Sequence, residues 1–193
     1  MLWFVKTIEV RYAFDFSDYG VMPRTISGLR GILFSPFIHS SYDHLFSNII
    51  PILVLGTMIN FFFSSIWPKV YALLFVFSGI GLWLIGRENF HIGASGLVYA
   101  MAGFLFFSGM IRRDFKMRAI SLIIVFLYGS LVWGMMPVLI KISWEGHLAG
   151  LAAGMVTAYM FKDDGPRKLL YQWEHDEIHE MMEGKQASHN DQF

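Results

Sequence analysis

The chain reads as all-α: a polytopic bundle of membrane helices. Three observations lead there. Of its 193 residues, 55% are hydrophobic and 16% charged, against roughly 25% charged in an average soluble domain. Asp, Glu, Lys and Arg are absent from five consecutive runs, 44–68, 70–86, 89–111, 119–140 and 146–161, which hold 25, 17, 23, 22 and 16 residues. A bilayer core of roughly 30 Å takes about 20 helical residues, range about 17–25. The strict polar–apolar alternation of a membrane barrel is missing, so helices are the remaining way to satisfy the backbone in lipid.

Composition also excludes classes of function. There is no cysteine, hence no disulfide scaffold, thiolate metal site or cysteine nucleophile. The formal net charge is +0, which speaks against a nucleic-acid surface.

Taken in order, residues 2–16 carry Lys6, Glu9 and Arg11 among apolar neighbours. They read as a short membrane helix, as if its first half were missing, or as an interfacial one. No ordered signal-peptide pattern is present. The five uncharged runs then give five spanning helices, with Pro51 expected to kink the first of them. Arg112, Arg113, Lys116 and Arg118 share one short connection, which is therefore expected on the cytoplasmic side. The helices starting near His44, Gly93 and Gly146 alternate with the other two and run in one direction. Their starts are expected together at the opposite, outer face. Residues 162–193 differ in kind, with four basic and eight acidic residues. They read as a charged cytoplasmic tail, with a short amphipathic helix presenting Leu169, Leu170, Trp173 and Met181.

The three helix starts carry the polar chemistry. His44 and Asn48 are four apart and share a face. They read either as a helix-cap histidine with a packing asparagine or as a functional pair, since polar groups at membrane depth are costly. Ser95, Tyr99, Ala102 and Gly103 form a stripe, flanked by Gly93 and Gly96, that reads as small-residue packing or as an exposed hydroxyl. Gly146, Gly150 and Gly154 repeat the small-residue pattern around His147. Packing the second stripe on the third brings His147 to Ser95 and over Tyr99. Serine needs a base to become a nucleophile, and histidine is suited to that near neutral pH. Asn48, His44 and the N–H groups opening the Ser95 helix are candidate oxyanion donors. Glu145 is the nearest carboxylate and is expected at the interface, so the pair reads as a Ser–His dyad oriented by packing on Tyr99.

At this point the chain resembles the rhomboid family of intramembrane serine proteases. Gly93-Ala94-Ser95-Gly96 is similar to the family's GxSG element with the nucleophile. Tyr99 falls where the family stacks a tyrosine on the catalytic histidine. His147 with Gly150 resembles its HxxG helix and general base. His44 through Asn48 resembles its HxxxN oxyanion pair, and His39 a further, usually structural, histidine of the preceding loop. The resemblance covers about 20–161. It implies a six-helix bundle, with the first helix short or truncated here and the membrane domain occupying 1–161. It also implies an irregular, partly embedded loop over about 15–43, marked by Pro23, Gly28, Gly31 and Pro36, and a mobile gate at the fifth helix, about 119–135. The family's Trp-Arg pair in the first loop is absent, with Leu29-Arg30 the nearest equivalent.

The function so implied is a serine endopeptidase cutting single-pass transmembrane proteins near the outer membrane face. The expected setting is the bacterial inner membrane, with the lipid bilayer and transmembrane substrates as partners and no cofactor or nucleic acid. The alternative is a catalytically inactive relative that binds membrane clients. A transporter is disfavoured, for want of internal repeats. His175 and His179 are four apart, but Asp176 stands where a zincin needs glutamate, so no metal site is expected. His91 reads as a loop residue near the mouth of the site.

Overall fold

The structure, a computed structural model, describes residues 1–112, 115–137 and 142–165. Helix α1 (Leu2–Tyr12) has 11 residues, about 16 Å at 1.5 Å per residue, half a bilayer core. Two of its three charges face inward, and Arg11 is exposed. Lys6 and Glu9 are buried and pair at 3.4 Å. The Lys6 ammonium also donates to the carbonyl oxygens of His39 at 2.8 Å and Ser40 at 3.2 Å. A charge pair therefore clips α1 to the end of the long loop that follows.

That loop contains one five-residue helix, α2 (Arg30–Phe34), and three single 3-10 turns. It is tied down by hydrogen bonds in place of regular structure. Val21 and His91 exchange two backbone bonds of 2.9 Å. The Trp83 indole N–H donates to the Thr25 carbonyl at 2.9 Å, and Arg24 donates to that of Gly86 at 2.7 Å. The Arg30 guanidinium lies 4.7 Å over the Tyr19 ring and donates to the Asp18 carbonyl. Leu29, beside it, is largely exposed. The arginine of the Leu29-Arg30 pair thus anchors the loop to itself.

Helix α3 (Tyr42–Phe62) starts at Ser41, whose hydroxyl accepts the His44 N–H, an ordinary N-cap. Pro51 lies inside this helix without ending it. The α3–α4 break at 63–66 falls within the uncharged run 44–68, where charge gives no signal for a turn. Helix α4 (Trp67–Ile85) opens with proline in its first turn, the position where the missing N–H costs nothing. Helices α5 (Ser95–Arg112), α6 (Phe115–Tyr128) and α7 (Trp144–Met160) complete the bundle.

Among the described residues, four helical stretches are long and apolar enough to cross a membrane: 42–62, 67–85, 95–112 and 115–135. Helix α7, with 17 residues, is slightly shorter and packs against α4 and α5. The most apolar window of α5 is 56% buried, against 22–28% in the other three, so α5 is the axis. Around it Phe104, Met101 and Leu105 meet Leu55, Phe63, Val70, Leu74 and Met117 in one core. The outward faces carry Leu53, Phe61, Leu122 and Phe126, each more than half exposed. Such a continuous apolar surface requires lipid as its solvent. The protein is an integral membrane protein.

Two expectations change. The fifth helix was expected over 119–135, but it is α-helical only to Tyr128, and Gly129–Met135 winds as a 3-10 helix. Glycine at 129 and 134 weakens the α-helix, and side chains from α5 and α7 take the carbonyls of Leu131 and Gly134. The uncharged run 89–111 was expected as one spanning helix starting near Gly93, yet Ser95 is the first residue of α5 and residues 89–94 are not helical. The amphipathic helix expected in the tail lies outside the described residues. Before it, Arg112 donates to the carbonyls of Lys162, at 3.1 Å, and Asp164, fixing the turn after α7.

Candidate active site

The site is built on the seam between α5 and α7. A Cβ added at Gly150 would run into the Gly96 carbonyl oxygen and stand 3.1 Å from the Tyr99 Cβ. Hydrogen at that position is what lets the two backbones touch. His147 lies three residues earlier on the same face and is carried to the start of α5.

There its Nε2 lies 2.9 Å from Ser95 Oγ. Its ring stacks on Tyr99 with centroids 4.1 Å apart and planes 8° from parallel. On the far side, Nδ1 lies 2.7 Å from the Gly134 carbonyl oxygen. The Tyr99 hydroxyl donates to the Leu131 carbonyl at 2.6 Å. Glu145 does not reach this histidine. It is buried, and its Oε1 sits 3.7 Å from Arg87 Nε. Among the described residues, no carboxylate completes a triad.

Opposite stands the first turn of α3. The His44 ring has Nδ1 3.2 Å from Ser40 Oγ, and its other edge faces Gly93. Gly93 has φ +106, and a Cβ there would stand 2.8 Å from His44 Nε2. Both the left-handed backbone and the adjacent ring demand glycine. Asn48 is buried, with one amide hydrogen donated to the His44 carbonyl at 2.9 Å. A cavity of about 620 Å³ has Ser95, Tyr99, His147, His44, Asn48 and Gly134 in its wall. The hydroxyl, the imidazole and the amide thus border one cavity.

His39 stays outside the cavity. It is buried, edge-on to the His44 ring at 5.1 Å. Burial first, and the neighbouring His44 second, push its pKa down to about 4. It is therefore a neutral packing piece under His44. His91 is buried too, with Nδ1 2.6 Å from Ser143 Oγ, Nε2 donating to the Arg87 carbonyl at 3.0 Å, and its pKa lowered by burial. It joins the loop before α5 to the start of α7 and borders the cavity.

Sequence reasoning missed the carbonyls of Leu131 and Gly134, which belong to main chain and leave no residue-type signal. It also missed Lys6 and Ser40. A lysine in an apolar stretch was visible there, though not its partners.

A family model described as Rhomboid domain matches residues 27–163. An uncharacterized protein of Mycobacterium tuberculosis is 36% identical over 169 residues, covering 83% of this chain and 70% of that protein. An uncharacterized protein of Mycobacterium leprae is 35% identical over 170 residues, covering 83% of this chain and 67% of that protein.

Proposed function

The chain belongs to the rhomboid family, and from that premise we propose that it is an active serine endopeptidase that cuts transmembrane proteins within the membrane. The observation that carries the reading is the 2.9 Å approach of His147 Nε2 to Ser95 Oγ, in the wall of a cavity within an apolar bundle.

His147 removes the Ser95 hydroxyl proton while Oγ attacks the scissile carbonyl. The tetrahedral oxyanion is held by the free N–H groups opening α5, with the Asn48 amide and His44 as further donors. Collapse breaks the peptide C–N bond, and the leaving amine takes the proton from His147. A water molecule, deprotonated by the same imidazole, then hydrolyses the acyl-enzyme and restores Ser95. Substrates are single-pass proteins whose backbone is locally unwound, since an α-helix shields its carbonyls. Arg112 ends α5, and Lys116 and Arg118 lie in the first turn of α6, so the positive-inside rule puts that end in the cytoplasm and the dyad toward the outer face, in a bacterial inner membrane.

The test is cleavage of a generic single-pass substrate in liposomes by wild type, Ser95→Ala and His147→Ala. Cleavage by wild type alone supports the reading. Cleavage by either purified variant contradicts the dyad. A folded wild type that binds the substrate without cutting it makes the protein an inactive client-binding relative.

A further inference from the structure

His147 is held on its second nitrogen by an atom that no side-chain motif marks. The acceptor 2.7 Å from Nδ1 is the main-chain carbonyl oxygen of Gly134. A carbonyl oxygen can only accept, so Nδ1 must carry a proton. In a neutral imidazole the lone pair then lies on Nε2, which is the nitrogen 2.9 Å from Ser95 Oγ. We propose that the Gly134 carbonyl is the positioning group that fixes the working tautomer of the general base, in the place where a serine triad uses a carboxylate. The proposal rests on the serine-protease reading and deepens it.

The location of this carbonyl has a consequence. Gly134 lies in the 3-10 segment Gly129–Met135, beyond the end of α6. The same segment holds Tyr99 through the Leu131 carbonyl, and Tyr99 is the ring stacked on His147. Orientation and tautomer of the base are therefore set by one short stretch of backbone, while its approach to Ser95 is set by α5 and α7. Moving residues 131–134 away from α5 releases both constraints at once and leaves the α5–α7 seam intact. With Nδ1 unpaired, the proton is free to occupy Nε2, and an imidazole protonated there cannot take the serine proton. A substrate that displaces this segment on entry must let it return before the base works, so the base becomes competent only after the segment has closed over the bound peptide.

Gly134→Ala perturbs the contact directly. Its Cβ would collide with the Tyr99 hydroxyl and stand 3.1 Å from His147 Nδ1, forcing the segment outward. The experiment is ¹⁵N NMR of histidine-labelled protein in detergent at about pH 8, where an ordinary imidazole is neutral. The His147 signals are identified by their loss in His147→Ala. In wild type we expect Nδ1 protonated and Nε2 bare. In Gly134→Ala we expect a mixture of the two tautomers, with kcat lowered at least about tenfold and KM little changed. The ceiling is the roughly 10⁴-fold loss that follows a wrong tautomer in a serine triad. A wild type with the proton on Nε2 overturns the proposal, and needs no variant to fold. A folded Gly134→Ala with unchanged tautomer and kcat overturns it as well. Fluorophosphonate labelling of the same wild-type sample checks the protease reading separately: an unlabelled protein with Nδ1 protonated removes the protease and keeps the tautomer lock.

Discussion

His147 is gripped from two sides that differ in kind. On one side, α5 and α7 meet through Gly96 and Gly150, and the contact is made by what the side chains lack. On the other, the backbone of 131–134 supplies two carbonyl oxygens, one to the Tyr99 hydroxyl and one to the imidazole. The first side is encoded by residue type at helical spacing and tolerates little change. The second is encoded by where a 3-10 segment places its main chain, with room at position 134 for glycine alone. The difference separates two tasks: the glycine seam decides whether the base reaches the serine, and the carbonyls decide how the base is presented.

The strongest way to break that division is to fill the seam. Gly150→Val puts branched bulk against the Gly96 carbonyl. It should abolish proteolysis and destabilise the bundle by about 1–3 kcal/mol, the usual cost of overpacking. Activity assay together with thermal unfolding in detergent checks it. Full activity would mean the helices do not approach as closely as the account requires.

Next come the groups that touch neither side of the imidazole. Asn48→Ala and His44→Ala should each lower kcat by about 10²–10³-fold if they behave as oxyanion donors, with KM nearly unchanged. Steady-state kinetics on a transmembrane substrate reads this. An unchanged kcat in both would leave the α5 backbone N–H groups as the oxyanion site.

A pH dependence of stability follows from His39. Its pKa in the fold is about 4, below the ordinary value of about 6.5. The unfolded chain therefore binds the extra proton between those two values. The stability contribution is complete above about pH 6.5 and is lost as pH falls toward 4, up to about 3 kcal/mol in all. His91, also lowered by burial, acts in the same direction. Unfolding midpoints measured across that window should fall with pH, and His39→Phe should flatten the slope. An unaltered slope would show that His39 is not the buried neutral group described.

The smallest effect sharpens the comparison most finely. Tyr99→Phe keeps the stacked ring and removes only the hydrogen bond to Leu131. The loss should be about 0.5–1.5 kcal/mol, the net worth of one such bond, or roughly two- to tenfold in kcat. Tyr99→Ala, which removes the stack as well, should cost more. Equal kinetics for the two variants would remove the stack from the account.

These two sides also mark what could be read from the sequence. The uncharged runs located the apolar helices because charge is excluded from lipid, and the spacing of Ser95, Tyr99, His147 and Gly150 gave the seam because helical periodicity is regular. Where the backbone leaves regular helix, the same signals failed. The break at 63–66 hid inside an uncharged run. Residues 89–94 were as free of charge as the helix after them, so charge did not mark the start of α5 at Ser95. At Gly129–Met135 two glycines hint at a weak helix, but the carbonyl bonds had no pattern, since main-chain atoms are common to every residue. Lys6 was visible as a charge in an apolar stretch, but its bonds to His39 and Ser40 span more than thirty positions, and local spacing cannot register them.

The central claim is that Ser95 is a nucleophile activated by His147. Fluorophosphonate labelling followed by mass spectrometric mapping addresses it most directly, with wild type, His147→Ala and Ser95→Ala compared as folded proteins in detergent. The account predicts a single modified residue, Ser95, in wild type, labelling of His147→Ala slowed by at least about 10³-fold because a serine without its base is a poor nucleophile, and none in Ser95→Ala. Modification at another residue, or equal labelling of wild type and His147→Ala, would contradict it.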